Sequence, residues 1–154
     1  MILVVGATGV LGGEIVRQLL AKGERVRALV RSSASKATAL QQAGAELIQG
    51  DLLDRPSMAK ACLGVDAIVT TASAMASQNP RDSFEAIDRD GQIDLIEAAE
   101  AAGVGRFVYI SSPEAPETSP LQAAKLAVEQ RLRSGKVPYC VLRPSFLMEV
   151  WLSP

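Results

Sequence analysis

The chain has 154 residues, 48% of them hydrophobic and 21% charged, with a formal net charge of -1; these values fit one domain, residues 1–154, able to bury a sizeable core. The charge balance, with no block of like charge, leaves no electrostatic footprint for nucleic acid or an anionic membrane surface. Histidine is absent, which excludes Ser-His-Asp triads, histidine general bases and histidine-bound metals, so chemistry falls to Lys, Tyr, Ser or carboxylates.

Met1–Val5 is an apolar, β-branched run and predicts the first strand. It carries neither the basic flank nor the cleavage site of an export signal, and no apolar run reaches the roughly 18 residues of a membrane span, which predicts a cytoplasmic protein. Helical spacing follows over Leu11–Ala21, then a strand over Arg25–Val30, a helix over Ser35–Gln42 and a strand over Glu46–Gln49. Further on come a helix over Ser57–Cys62, a strand over Ala67–Thr70 and a long helix over Ser83–Ala102. Phe107–Ile110 and Tyr139–Leu142 read as the last strands, with a helix over Gln122–Arg133 between them. Gly23, Gly44, Gly64 and Gly103 each fall just past a helical pattern, where a left-handed residue closes the last turn. Six buried strands, apolar throughout and separated by crossover helices, imply a doubly wound α/β layer on a parallel sheet. Cys62 and Cys140 match no zinc or redox spacing and are expected to be small buried hydrophobes.

Between the first strand and the first helix stands Val-Val-Gly-Ala-Thr-Gly-Val-Leu-Gly-Gly, with Gly6, Gly9 and Gly12 at spacing three. In a strand-loop-helix unit glycine is needed where the chain turns sharply, where backbone approaches a pyrophosphate and where helix packs closely on strand. The helix starting near Val10 or Leu11 offers unpaired N–H groups and its positive dipole end to phosphates, and Thr8 adds a hydroxyl. The second strand ends at Val30-Arg31-Ser32-Ser33, about the distance at which a dinucleotide's adenosine ribose is read. An acid there would accept from the 2′-hydroxyl of NAD. Arg31 instead suits a 2′-phosphate, with Ser32 or Ser33 helping, so NADP is favoured and NAD is the alternative. The bland reading of Arg31 is a solvated loop arginine.

The segments GATGVLGGEIVRQLLAKGERVRALVR, GDLLD, GVDAIVTTAS, IEAAEAAGVGRFVYISS and LRPSFLME occur in this order, and the chain resembles the atypical short-chain dehydrogenase/reductase proteins of the NmrA-like, NAD(P)H-binding kind. The resemblance implies a Rossmann sheet of order 3-2-1-4-5-6, with the family's smaller C-terminal substrate domain largely outside these residues. It implies that Gly6, Thr8, Gly9, Val10, Leu11 and Gly12 line the pyrophosphate and Arg31 reads the 2′-phosphate. Asp51 and Leu52 would meet the adenine, Thr71, Ala72 and Ser73 would pass along the cofactor, and Pro144 and Phe146 would stand beside the nicotinamide.

Active short-chain reductases use a Tyr-x-x-x-Lys pair. Lys125 fits the lysine, but Leu121 stands where the tyrosine would be. Tyr109, inside a strand, reads as core. Ser111 and Ser112 sit where the family places a hydroxyl that orients a carbonyl, or are a plain loop after the strand. Lys125 is expected to contact the nicotinamide ribose and to act as acid, or else to be a solvated helix lysine. Phe146 is a wall of the ring pocket or plain packing, and the apolar tail Phe146–Leu152 is a surface for self-association. The reading that follows is an NADP(H)-binding domain passing hydride to a quinone-like or enone small molecule in the complete protein. The alternatives are a non-catalytic redox sensor or assembly factor and, more weakly, a nucleotide-sugar epimerase or dehydratase.

Overall fold

Strands that are apolar on both faces need a layer of helices on each side, and β1 (Ile2–Val5) shows the consequence residue by residue. Leu3 and Val5 point into one core with Met58, Ile68, Leu95 and Phe107, whereas Ile2 and Val4 face a second core with Val16, Ala28 and Val30. The computed structural model describes residues 1–31, 35–113 and 119–145. Ser32, Ser33, Phe146 and the tail expected to self-associate lie outside the described residues.

The chain alternates strand and helix: β1, α1 (Val10–Ala21), β2 (Val26–Val30), α2 (Ser35–Gln42), β3 (Glu46–Gln49), α3 (Arg55–Cys62) and β4 (Ala67–Thr70). A π-helical segment, Phe84–Asp90, then runs into α4 (Gly91–Ala101), followed by β5 (Arg106–Ile110), α5 (Pro120–Ser134) and β6 (Tyr139–Leu142). All pairings are parallel, in the order β3-β2-β1-β4-β5-β6. This is the Rossmann order, which reverses direction between β1 and β4 and opens a crevice there. Gly23, Gly44, Gly64 and Gly103 all take positive φ, as their positions after helices require.

Three expectations need correcting. The outer strands β3 and β6 are not buried throughout: Glu46, Gln49, Tyr139 and Leu142 are exposed because, among the described residues, each strand has a neighbour on one side alone. Cys140 on β6 is accordingly half-buried, while burial in the core pushes the Cys62 thiol up to about 11. The long helix predicted over Ser83–Ala102 is divided. Its first part is π-helical, entered by Ser83, whose hydroxyl accepts from Ala86 N–H at 3.1 Å, and left where Gly91 N–H bonds Ala86 O. Gly91 sits against α3's approach loop, since a Cβ there would stand 2.9 Å from Leu52 Cβ. The wider turn brings both Asp88 and Gln92 inward, fully buried, beneath the end of β4. Among the described residues no helix is long and apolar enough to cross a membrane.

The seating of α1 on β1 depends on bare backbone at Gly12. A Cβ there would collide with the Gly6 carbonyl, and also lie 2.9 Å from Thr71 Oγ1. Gly12→Ala is therefore expected to destabilise the fold by about 3 kcal/mol through overpacking. Gly13→Ala, whose Cβ would meet Ala7 O at 3.4 Å, should change little, and denaturant titration of the two variants checks this. At the far end of the sheet, Glu100 accepts from Arg131 at 2.6 Å and from Lys136 N–H at 2.6 Å. The Arg131 hydrogen bond, more than offsetting burial and aided by the Lys136 amide, lowers the Glu100 carboxyl from 4.5 to about 2. A depressed carboxylate stabilises the fold above its unfolded pKa, and that contribution is lost as pH falls through about 2. Glu100→Gln should cost on the order of 2 kcal/mol at neutral pH, discounted for partial solvent exposure. The gap to the parent should narrow progressively below pH 4.5, as denaturant melts at neutral and acidic pH would show.

Candidate cofactor site

The turn after β1 is built from hydrogen bonds that need small residues. Gly6 takes φ +83, and a Cβ on it would lie 2.7 Å from both Ala72 N and Thr71 Oγ1. Gly9 N–H closes the turn on Gly6 O at 3.0 Å, and Gly13 N–H makes the first helical bond, to Gly9 O, at 2.9 Å. Gly9 occupies the N-cap of α1 with no side-chain cap and no acid in the first turn. The N–H groups of Val10, Leu11 and Gly12 are thus helix-terminal donors at the positive end of the dipole, a setting that favours an anion.

A cleft of about 630 Å³ runs along the carboxyl ends of β1, β2, β3 and β4. Of the residues singled out in the sequence, Gly6, Thr8, Gly9, Arg31, Asp51, Leu52, Thr71, Ala72 and Ser73 line it. Gly12 is buried beneath the turn, and Val10 is 62% exposed at the helix start. Asp51 caps the following turn, its Oδ1 accepting Leu53 N–H at 3.0 Å. Lys36, Ser77 and Asp82 also line the cleft, and sequence reasoning missed them. Lys36 carried a usable signal, a second cation five positions after Arg31; Ser77 and Asp82 lie in a segment without periodicity.

Arg31 reaches across this end of the cleft. Its Nη1 donates to Asp82 Oδ2 at 2.6 Å, and Ser77 Oγ donates to the same oxygen at 2.5 Å. Asp82 Oδ1 is buried and has no hydrogen-bond partner among the described residues. Burial pushes the Asp82 carboxyl up, but the hydrogen bonds from Ser77 and Arg31 together outweigh it and hold the group below the usual carboxylate range.

The groups expected near the nicotinamide sit beyond the cleft wall, in a buried polar cluster. Lys125 Nζ donates to Ile110 O at 3.2 Å, lies 3.6 Å from Asp88 Oδ1 and stands 5.3 Å from the centre of the Tyr109 ring. Burial drives the Lys125 ammonium below the ordinary lysine value, against the opposing pull of Asp88. Asp88 Oδ2 accepts Ala74 N–H at 2.8 Å, tying the π segment to the loop after β4. Tyr109 is a core residue, its hydroxyl raised well above the usual range, first by burial and then by Asp88 and Glu129. Ser111 donates to Glu129 at 2.7 Å, and Ser112 donates to Gln122 at 2.7 Å. Glu129 also takes Arg143 Nε at 2.9 Å and Arg133 at 3.0 Å; the Arg143 bond leads in keeping its carboxyl low against burial. In this arrangement each serine proton is committed to a partner, and the Lys125 ammonium is held by Ile110 O and Asp88. Pro144 follows β6, half-buried.

The turn, its helix-terminal donors and the two cations at the far end fit a dinucleotide. The family of NAD(P)H-binding proteins matches residues 6–150. The photosystem II assembly factor Ycf39 of Trieres chinensis is 41% identical over 145 residues, 92% of this chain and 44% of that protein. Its counterpart from Synechocystis is 33% identical over 150 residues, 96% of this chain and 45% of that one. The chain thus spans a little under half the length of these relatives. Among solved structures, the NADPH-dependent quinone oxidoreductase QOR2 of Escherichia coli, complexed with NADPH, superposes with TM-score 0.81 at 30% identity, covering 99% of this chain and 52% of that one. The chain belongs to the NAD(P)H-binding family, among the atypical short-chain dehydrogenase/reductase proteins.

Proposed function

We propose that this chain holds NADP(H) in preference to NAD(H), and that the complete protein, in the cytoplasm, passes hydride to a quinone-like or enone acceptor. The observation that carries the cofactor reading is the pair of cations, Arg31 and Lys36, at the adenosine end of a cleft that begins at a glycine turn. In this reading the pyrophosphate lies over Gly6, Thr8, Gly9 and the first N–H groups of α1, Val10, Leu11 and Gly12 among them, with Arg31 and Ser32 on the 2′-phosphate. Asp51 and Leu52 meet the adenine, Thr71, Ala72 and Ser73 follow the cofactor inward, and Pro144 and Phe146 stand beside the nicotinamide. The cofactor supplies the hydride.

Lys125 serves as ribose contact and proton donor, a role supported by the lowered proton affinity that its burial produces. Ser111 and Ser112 orient the acceptor carbonyl after exchanging their bonds to Glu129 and Gln122. A second reading, a non-catalytic cofactor-binding assembly factor or redox sensor, is favoured by Leu121, which puts no proton four residues before Lys125. The assembly-factor relatives in Trieres and Synechocystis support it too. An epimerase or dehydratase is weakened by the same Leu121.

NADPH oxidation against a panel of quinones and enones separates the two readings. Turnover that falls about 100-fold or more in Lys125→Ala is expected if the lysine supplies the proton. Tight NADPH binding with no turnover in the longest natural form of the protein would instead establish the non-catalytic role. Calorimetric titration should show NADPH bound more tightly than NADH, with Arg31→Ala removing about 10-fold or more of the NADPH affinity. An Arg31→Ala variant that loses NADPH and NADH affinity equally would count against the Arg31 assignment.

A further inference from the structure

Arg31 is not a free cation waiting for a phosphate. Its guanidinium is half-exposed, 52%, but its partner Asp82 is 3% exposed, so this carboxylate is screened by protein rather than water. Both line the cleft with Lys36 and Ser77. Asp82 Oδ2 is engaged twice, by Arg31 and Ser77, while Oδ1 is buried with no hydrogen-bond partner among the described residues. The negative charge therefore stands one hydrogen bond from the guanidinium and is only partly satisfied there.

We infer that Asp82 is a cofactor-discriminating residue: it contests the 2′-phosphate of NADP(H) for Arg31, so that the site binds NADPH less tightly than its cations alone would allow. The inference rests on the reading of Arg31 as the group beside the 2′ position. A 2′-hydroxyl is neutral and leaves the Arg31–Asp82 pair intact. A 2′-phosphate brings an anion to a guanidinium already held by another, so it must share Arg31 against Asp82's repulsion or pull Arg31 off, leaving a buried carboxylate short of its cation. Lys36, exposed on α2, lines the same cleft and adds a second positive charge to it. The Ser77 and Arg31 hydrogen bonds hold Asp82 below the usual carboxylate range, so it is ionised at neutral pH and the contest operates there. The β4 end of the crevice in this way reaches over to the β2 end and sets a preference that the end of β2 would otherwise determine by itself.

The test is calorimetric titration of the parent protein, Asp82→Asn, Ser77→Ala and Arg31→Ala with NADPH, with NADH and with 2′,5′-ADP, a probe that carries the 2′-phosphate without the nicotinamide. Asp82→Asn, which keeps the shape and removes the charge, should bind NADPH and 2′,5′-ADP about 10-fold more tightly with NADH unchanged. Asp82→Ser, smaller and also neutral, should move the ratio the same way if Asp82→Asn proves poorly folded. Ser77→Ala keeps the charge and loosens the loop, so it should not raise the NADPH to NADH ratio. An unchanged or lowered ratio in both Asp82 variants overturns the inference, as does an equal rise in Ser77→Ala, which would assign the effect to loop mobility. If Arg31→Ala leaves the ratio as in the parent, it is the Arg31 reading that fails, a result distinct from failure at Asp82.

Discussion

The approach of Gly12 to the carbonyl of Gly6 is the contact on which the site is assembled. No side chain fits between them, so α1 comes down directly onto the turn that ends β1. Thr71, just after β4, closes the same spot from the other side, its hydroxyl 3.3 Å from Val5 O and 3.4 Å from Gly6 O. Three pieces of chain therefore meet at one point: the end of β1, the first turn of α1 and the end of β4. That point is where the strand order reverses, so the helix-terminal donors, the crevice and the turn share one location for one steric reason.

From this point the cleft has two ends with different electrostatics. Toward β2 and β3 Arg31 and Lys36 reach solvent, and Arg31 is held by the carboxylate of Asp82, whose side chain is buried. Toward β5 and β6 Lys125 and Asp88 are both buried, while the buried carboxylate of Glu129 is held by Arg143 and Arg133, which reach solvent. Removing one member of such a buried pair strands the other, which is far costlier than losing an exposed pair. Buried carboxylates therefore depend on their cations at both ends, Asp82 on Arg31 at one and Glu129 on Arg143 and Arg133 at the other, and in the Lys125–Asp88 pair the cation is buried as well.

What was legible in the sequence follows from which demands leave a residue signature. Strand and helix order could be read because burial on both faces and crossover packing impose long apolar patterns. The turn could be read because Gly6 and Gly12 occupy positions where a side chain is sterically excluded, whatever surrounds them. Arg31 was legible because the end of β2 lies at a set distance from the turn. Asp82 and Ser77 were not, because they reach Arg31 through a loop whose course is fixed by local turn bonds, among them Asp82 N–H to Asn79 O at 2.9 Å, and by no periodic pattern. The π segment was hidden for another reason: Ile87, Leu95 and Ile96 keep apolar spacing close to a helix, and the extra residue per turn shows in backbone pairings such as that of Gly91 with Ala86. The exposed ends of β3 and β6 reflect position at the sheet edges, a property of strand order rather than of either strand's residues.

The separation of the two ends bears on the relation between holding a cofactor and using it. Asp88 connects them, because the same carboxylate that faces Lys125 at 3.6 Å also accepts Ala74 N–H, at the start of the loop that carries Ser77 and Asp82. The loop is pinned at its first residue by the buried cluster and at its last by Arg31. The loop thus joins the two ends of the site through two hydrogen bonds, Ala74 N–H to Asp88 and Arg31 to Asp82, and removing either carboxylate releases one of its anchors.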